Sequence, residues 1–240
     1  MTMIEIPFGE CRKALSIPDG FDDSNVIVTD GALGDLPSLK FVRHGPLQRI
    51  VSDCRFEVPA STRGNVSIFV GFSGAQVKLG QNCRLVANLR LWRECRIEIG
   101  EFVTINNARL VADKSEIIVG RDCMFSDEIL IQSSDQHGLV DLESGEFINS
   151  GHRYIHIGEH VWVGRGSKVM PDVTVGAGAV LGTGCIVTKD VPPCSFAVGV
   201  PAQVVRTRSS WTRQPTHSND RERDFFDRMR AQDYLEDKGQ

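Results

Sequence analysis

The chain has 240 residues with a net charge of −4 and a pI near 5.9, long enough to bury its own core as one domain or two modest ones. No basic stripe is present to neutralise phosphates, so nucleic acid is not an expected partner. No run approaches eighteen apolar residues, and Glu5 and Glu10 stand where a signal peptide needs a basic flank and an apolar core. Seven cysteines, odd in number and without a C-x-x-C pair, argue against a disulfide framework or a zinc ribbon, and a cytoplasmic protein is expected.

Taken in chain order, residues 1–62 hold strand-like pieces, "VIV" at 26, "RIV" at 49 and "CRFEV" at 54, without a steady repeat. They read as an N-terminal segment of irregular early coils or a separate cap. From there the chain repeats. "LGQNCRL" at 79, "IGEFVTI" at 99 and "VGRDCMF" at 119 are spaced by 20 residues, each with an aliphatic, then Gly, then a small residue (Cys83, Val103, Cys123) and a further apolar residue. Later, Ile157, Val163, Val169, Val175, Leu181 and Val187 fall every six residues, with Gly158, Gly164, Gly176 and Gly182 directly after four of them.

A six-residue period is too short for a helix pair, and a 3.6-residue period would scatter these aliphatics around a cylinder. It suits short strands joined by tight corners, the aliphatic inward, the small residue in the angle, and the glycine allowing φ > 0 or a close backbone approach. Three sides make an 18-residue turn, and a spacing of 20 reads as 18 plus a two-residue bulge. The expected fold is all-β, a parallel β-helix of triangular section over 63–206. Cys83, Cys123 and Cys185 then occupy inward packing slots rather than acting as nucleophiles. The general crossover rule would favour a right-handed coil.

Ile157 comes 26 residues after Ile131, where one six-step would serve. Such an excursion projects sideways as a loop over 133–156, and an ordered loop on a rigid stack is a favoured place for function. His137 in "SSDQHGLVD" is its histidine before the return segment, with Asp135 and Asp141 close enough to orient a ring nitrogen. After Arg206 the repeat ends. Residues 207–240 read as a polar linker, "TRSSWTRQPTHSND", then a helix over "RERDFFDRMRAQDYLEDK" with Phe225, Phe226 and Met229 on one side.

The segments "IGEHVWVG", "VTVGAGAVLGTG", "VTKDVPP" and "GVPAQVVR" between Ile157 and Arg206 resemble the C-terminal half of the hexapeptide-repeat O-acetyltransferases, nearest the subgroup acting on sugars and on capsular or sialic-acid-containing glycans. With the coils from about 66, the resemblance covers some 140 residues. It implies a left-handed β-helix, a homotrimer with active sites between subunits, acetyl-CoA as co-substrate and no metal. It implies His137 as the base that deprotonates the acceptor hydroxyl, which then attacks the acetyl carbonyl directly in a ternary complex, backbone N–H groups steadying the oxyanion. Trp162 is implied to meet the substrate or thioester and Asn106 the acceptor, although the residues after Asn106 diverge from the pattern. Gly164, Gly182 and Thr183 would border the pantetheine channel, with Thr188, Lys189 and Arg206 at the nucleotide end. Gln203 replaces a basic residue common there and weakens the phosphate clamp.

Three other readings compete. N-acetylation of an amino sugar would need less help from His137. A metal protein of the γ-carbonic-anhydrase kind would use His152, His156 and His160, but a corner at Gly158 turns the third aside. A non-catalytic scaffold would not bind acetyl-CoA.

Overall fold

The structure is a computed structural model that describes residues 2–46 and 49–236, with side chains through 232. Short parallel strands stack into a solenoid with two sheets, one of eight strands and one of twelve. Its first face holds Arg55–Glu57, Gln76–Leu79, Arg96–Ile99, Ser115–Val119, Arg153–Ile157 and Val173–Val175. The inward residues Phe56, Val77, Ile97, Ile117, Ile155 and Val173 form one buried column, because a period of two puts every second side chain inside.

The twelve-stranded sheet covers the other two faces and divides at Thr104–Ala112. The first half of that strand pairs with Met124–Phe125, the second with Ile129–Gln132. The expected two-residue bulge per 20-residue coil is not how those coils absorb their extra length. Arg63–Val70, Arg84–Leu91 and Thr104–Ala112 are single strands of 8, 8 and 9 residues that sweep across both faces without a corner. Within these long strands the register shifts where Asn106 and Asn107 oppose Val86. The later 18-residue coils break into two- and three-residue strands with true corners.

The corner after the first face shows what its glycines do. A Cβ at Gly80, Gly100, Gly120, Gly158 or Gly176 would lie 2.3–2.6 Å from backbone of the next coil, so these glycines serve close approach. Positive φ falls two residues later, at Asn82, Phe102, Asp122, His160, Gly178 and Cys194. Cys83, Cys123 and Cys185 fill the angle of a corner and are buried. Burial pushes the Cys83 thiol up to about 11 and that of Cys123 up to about 12, far from a reactive thiolate.

The described residues before Arg63 continue the same stack. Val26–Thr29 and Ser38–Arg43 pair in parallel with the coils that follow, and Ile4–Pro7 closes the end antiparallel to Val26–Thr29. Phe8, Phe21, Phe41 and Phe56 plug this end with ring centroids 5.1–6.4 Å apart.

The stretch expected as a linker is a docked strap. It crosses one coil after another along the positive-φ corner. Ser209 N donates to Cys194 O, Ser210 Oγ to Gly178 O and Trp211 Nε1 to His160 O, and Arg213 reaches Phe102 O, Thr104 Oγ1 and Asp122. The helix follows over Asp220–Glu236, so residues 237 and 238 of the expected helix lie outside the described residues. Asn219 and Glu222 form a reciprocal capping box, at 3.1 Å and 2.8 Å, and Glu222 also accepts from Arg213 N. Phe225 is buried against His160, with ring centroids 4.7 Å apart.

Candidate active site

The excursion leaves the solenoid at the corner between the third face and the first, after Ile129–Gln132, and returns at Arg153. It is a β-hairpin flap. Val140 pairs with Phe147 in an antiparallel bridge, and Ile148 N donates to Leu139 O. Asp141 makes the turn: its Oδ1 accepts from Glu143 N, Ser144 N and Ser144 Oγ at 2.8–3.1 Å. Those hydrogen bonds hold its carboxyl below the usual range. Gly138 lets the flap fold flat, since a Cβ there would sit 2.6 Å from the Phe147 ring.

His137 is exposed at the base of this flap. Its carbonyl accepts from Asn149 Nδ2 at 2.8 Å, while its imidazole has no hydrogen-bond partner among the described residues. Neither Asp135 nor Asp141 bonds the ring. Asp135 instead accepts from Asn149 at 3.0 Å and lies 3.4 Å from Arg153, so it grips the segment that carries His137. Asn149 is the residue that sequence reasoning missed: it bonds Leu139 N, the His137 carbonyl and Asp135 together. An asparagine in a polar loop gives no signal of its own.

A cleft of about 220 Å³ opens beside the ring, lined among others by Arg93, Lys114, Phe147 and Arg153. At its floor Asp113 is buried and takes a two-pronged bond from Arg93 at 2.9 and 2.7 Å. Burial alone would raise the Asp113 carboxyl, but the guanidinium more than offsets this and holds it low. Arg153 is committed to Asp172 and Asp135. The charge of Lys114, the residue after Asp113, also helps to hold that carboxyl low.

The other expected residues lie elsewhere on the prism. Trp162 stands on the second face, half-buried, its Nε1 3.5 Å from Ser126 Oγ and its ring 6.0 Å from Trp211. Asn106 is exposed at the register shift on the long strand. Gly164, Gly182 and Thr183 line the corner between the second and third faces, where a Cβ on Gly182 would meet Val198 Cγ1 at 2.6 Å. Thr188 and Lys189 are exposed just beyond Ile186–Val187, and Arg206 is exposed at the end of the hairpin strand Gln203–Arg206. One chain therefore places the flap on a different corner from Gly164, Gly182 and Thr183, while Thr188 and Lys189 stand on the flap's own corner two coils further along. His156 meets Glu116 at 2.7 Å, and the buried His160 meets Asp122 at 2.9 Å and the Trp211 carbonyl at 3.0 Å.

The six-residue count, the corner glycines and the stack now stand together. Residues 154–189 match the family model described as bacterial transferase hexapeptide, six repeats. That stretch of the chain carries hexapeptide repeats. It is 35% identical over 138 residues to the polysialic acid O-acetyltransferase of Escherichia coli O1:K1 / APEC, an alignment covering 57% of this chain and 45% of that protein. It is 56% identical over 52 residues to a putative acetyltransferase of Staphylococcus aureus (strain COL), covering 22% of this chain and 26% of the other. The chain thus spans less than half the length of these relatives. Its fold matches the crystal structure of the polySia-specific acetyltransferase NeuO, with a TM-score of 0.69 at 24% identity over 87% of this chain and all of that one. The polysialic acid O-acetyltransferase OatWY matches with a TM-score of 0.53 at 24% identity, over 80% of this chain and 99% of that one. No described helix is long and apolar enough to cross a membrane.

Proposed function

We propose that this protein transfers an acetyl group from acetyl-CoA to a hydroxyl of a sialic-acid-bearing or similar anionic glycan. The observation that carries this is the flap, which holds an unpartnered imidazole over a cleft walled by Arg93, Lys114 and Arg153. The identity to an O-acetyltransferase over 138 residues supports the reaction class. His137 is the general base: its free ring nitrogen takes the hydroxyl proton as the oxygen attacks the thioester carbonyl, and the thiolate of coenzyme A leaves. Asp135 is a positioning residue acting through Asn149, and Asp141 shapes the turn.

The acetyl-CoA groove is read along the corner of Gly164, Gly182 and Thr183, where small residues leave room for an extended chain. Exposed Val198, Val200, Val204 and Val205 flank it, and Thr188, Lys189 and Arg206 stand at its nucleotide end. The unit 63–206 is the catalytic solenoid, of left-handed coil in line with the resemblance, and 1–62 extends it. Because the flap and Trp162 lie on different faces, a site using both, and Asn106 for the acceptor, is completed by a second subunit, in keeping with a homotrimer. Six buried cysteines kept as thiols accord with a reducing, cytoplasmic setting.

The test is acetyl-CoA turnover, read as released thiol, against sialic acid oligomers, neutral sugars and amino sugars. Transfer to a hydroxyl should fall by roughly 10²–10⁴ in His137→Ala while acetyl-CoA binding is kept. Preference for an amino sugar, with little loss in His137→Ala, would favour N-transfer instead. A burst of free thiol without acceptor would refute direct transfer.

A further inference from the structure

We propose that the notch at Gly71, between His44 and Trp92, is a second glycan subsite. It would take a sugar further along a polymeric anionic acceptor than the reacting one, and it rests on the function proposed above. The corner that carries the flap is a ladder. His44 N donates to Val70 O, Gly71 N to Leu91 O, Trp92 N to Ala112 O and Ser133 N to Val111 O, one coil after another at 2.8–3.1 Å. The His137 cleft begins at Arg93, directly after Trp92, and at Asp113 on the coil below. Successive coils lie about 4.8 Å apart, so the notch is one coil from Arg93 at the near end of the cleft and three coils, roughly 14 Å, from the coil whose flap carries His137, along a single edge. A span of that length passes over more than one pyranose.

Gly71 makes the notch. His44 and Trp92 are two coils apart, yet their rings meet edge to face with centroids 4.9 Å apart, because no side chain stands between them. A Cβ on Gly71 would lie 2.7 Å from the indole. Beside the indole is a cavity of about 130 Å³, walled also by Val42, Phe69 and Arg90. Its chemistry suits a charged sugar. Aromatic faces accept the apolar C–H face of a pyranose, and Arg90, 5.1 Å over the Phe69 ring, has no carboxylate partner among the described residues. The Trp92 Nε1–H is buried without an acceptor among the described residues, a missing bond that a sugar oxygen could supply. Together with Lys114 in the cleft, Arg90 puts positive charge at two places along the track, which suits a polymer with repeated carboxylates.

The experiment is acetyl transfer to sialic acid oligomers of one to six residues, comparing wild type with Trp92→Ala and Arg90→Gln after circular dichroism has confirmed folding. The wild type should show higher kcat/KM on oligomers than on the monomer. Each variant should lose about tenfold on the oligomers, mainly through KM, and stay within about twofold on the monomer. Gly71→Ala, which pushes the indole out of place, should behave like Trp92→Ala and stands in for it if that variant does not fold. Equal losses on monomer and oligomers, or no length dependence in the wild type, would overturn the subsite alone. No transfer to any oligomer would overturn the functional reading and the subsite with it.

Discussion

Asp122 is the point on which the C-terminal strap is hung, and replacing it with alanine should release that strap while leaving the solenoid folded. Its side chain is 7% exposed and is bonded by His160 Nδ1 at 2.9 Å and Arg213 Nη2 at 3.1 Å, with Arg221 at 3.7 Å. Burial would raise its carboxyl, but His160 and Arg213 more than offset this and hold it below the usual range. Truncation would leave the His160 N–H and the Arg213 guanidinium facing a void. Removing one partner of a buried charged pair costs about 3–5 kcal/mol. That cost falls on local opening of 209–232, because among the described residues the Asp122 carboxylate is bonded or paired by His160, Arg213 and Arg221, and the last two belong to the strap and helix. Native-state hydrogen exchange at the Ser209 and Arg213 amides should therefore speed up by roughly two to three orders of magnitude, at about 1.4 kcal/mol per tenfold. Exchange at the first-face strand Arg153–Ile157 should hold. Wild-type protection at both amides in Asp122→Ala would show that Trp211 and Phe225 packing alone docks the strap, and the polar anchor would be refuted. Equal loss of protection everywhere would instead make Asp122 a general stabiliser of the coil.

The same pair predicts a pH dependence. Since folding lowers the Asp122 carboxyl, its contribution is complete above the unfolded value, roughly 3.9, and is lost as pH falls through the lower folded value; the Trp211 fluorescence change that marks release should appear below about pH 4 and be absent in Asp122→Ala. Gly138→Ala drives a Cβ to 2.6 Å from the Phe147 ring, so transfer should drop at least tenfold while Tm stays within a few degrees, because the flap buries little. Gly120→Ala puts a Cβ 2.5 Å from Glu159 N and should destabilise the coil by about 1–3 kcal/mol, read by denaturant titration.

Much was legible before any coordinates. A six-residue period is a local property: each aliphatic needs only its neighbours above and below, so Ile157 through Val187 announced their own burial, and every one of them is inside. The excursion was equally plain as an interruption of that count, and so was its histidine. Asn149 was not, because its role depends on three partners between 10 and 14 positions away that only the folded hairpin assembles. The strap was misread as a linker for a related reason. Serine, tryptophan and arginine in "SSWTR" look polar and loose in sequence, but each meets a different coil at the positive-φ corner.

The sequence by itself determined the stack, the corner glycines and the place where the stack opens, because these follow from repetition at short range. Only the tertiary structure decided which groups face His137, that Asp141 belongs to the turn, and that Asp122 and His160, 38 residues apart, lie on adjacent coils of one corner. The physical reason is that a solenoid turns a separation along the chain into adjacency across coils, and an inserted flap shifts that conversion by a length no local pattern encodes.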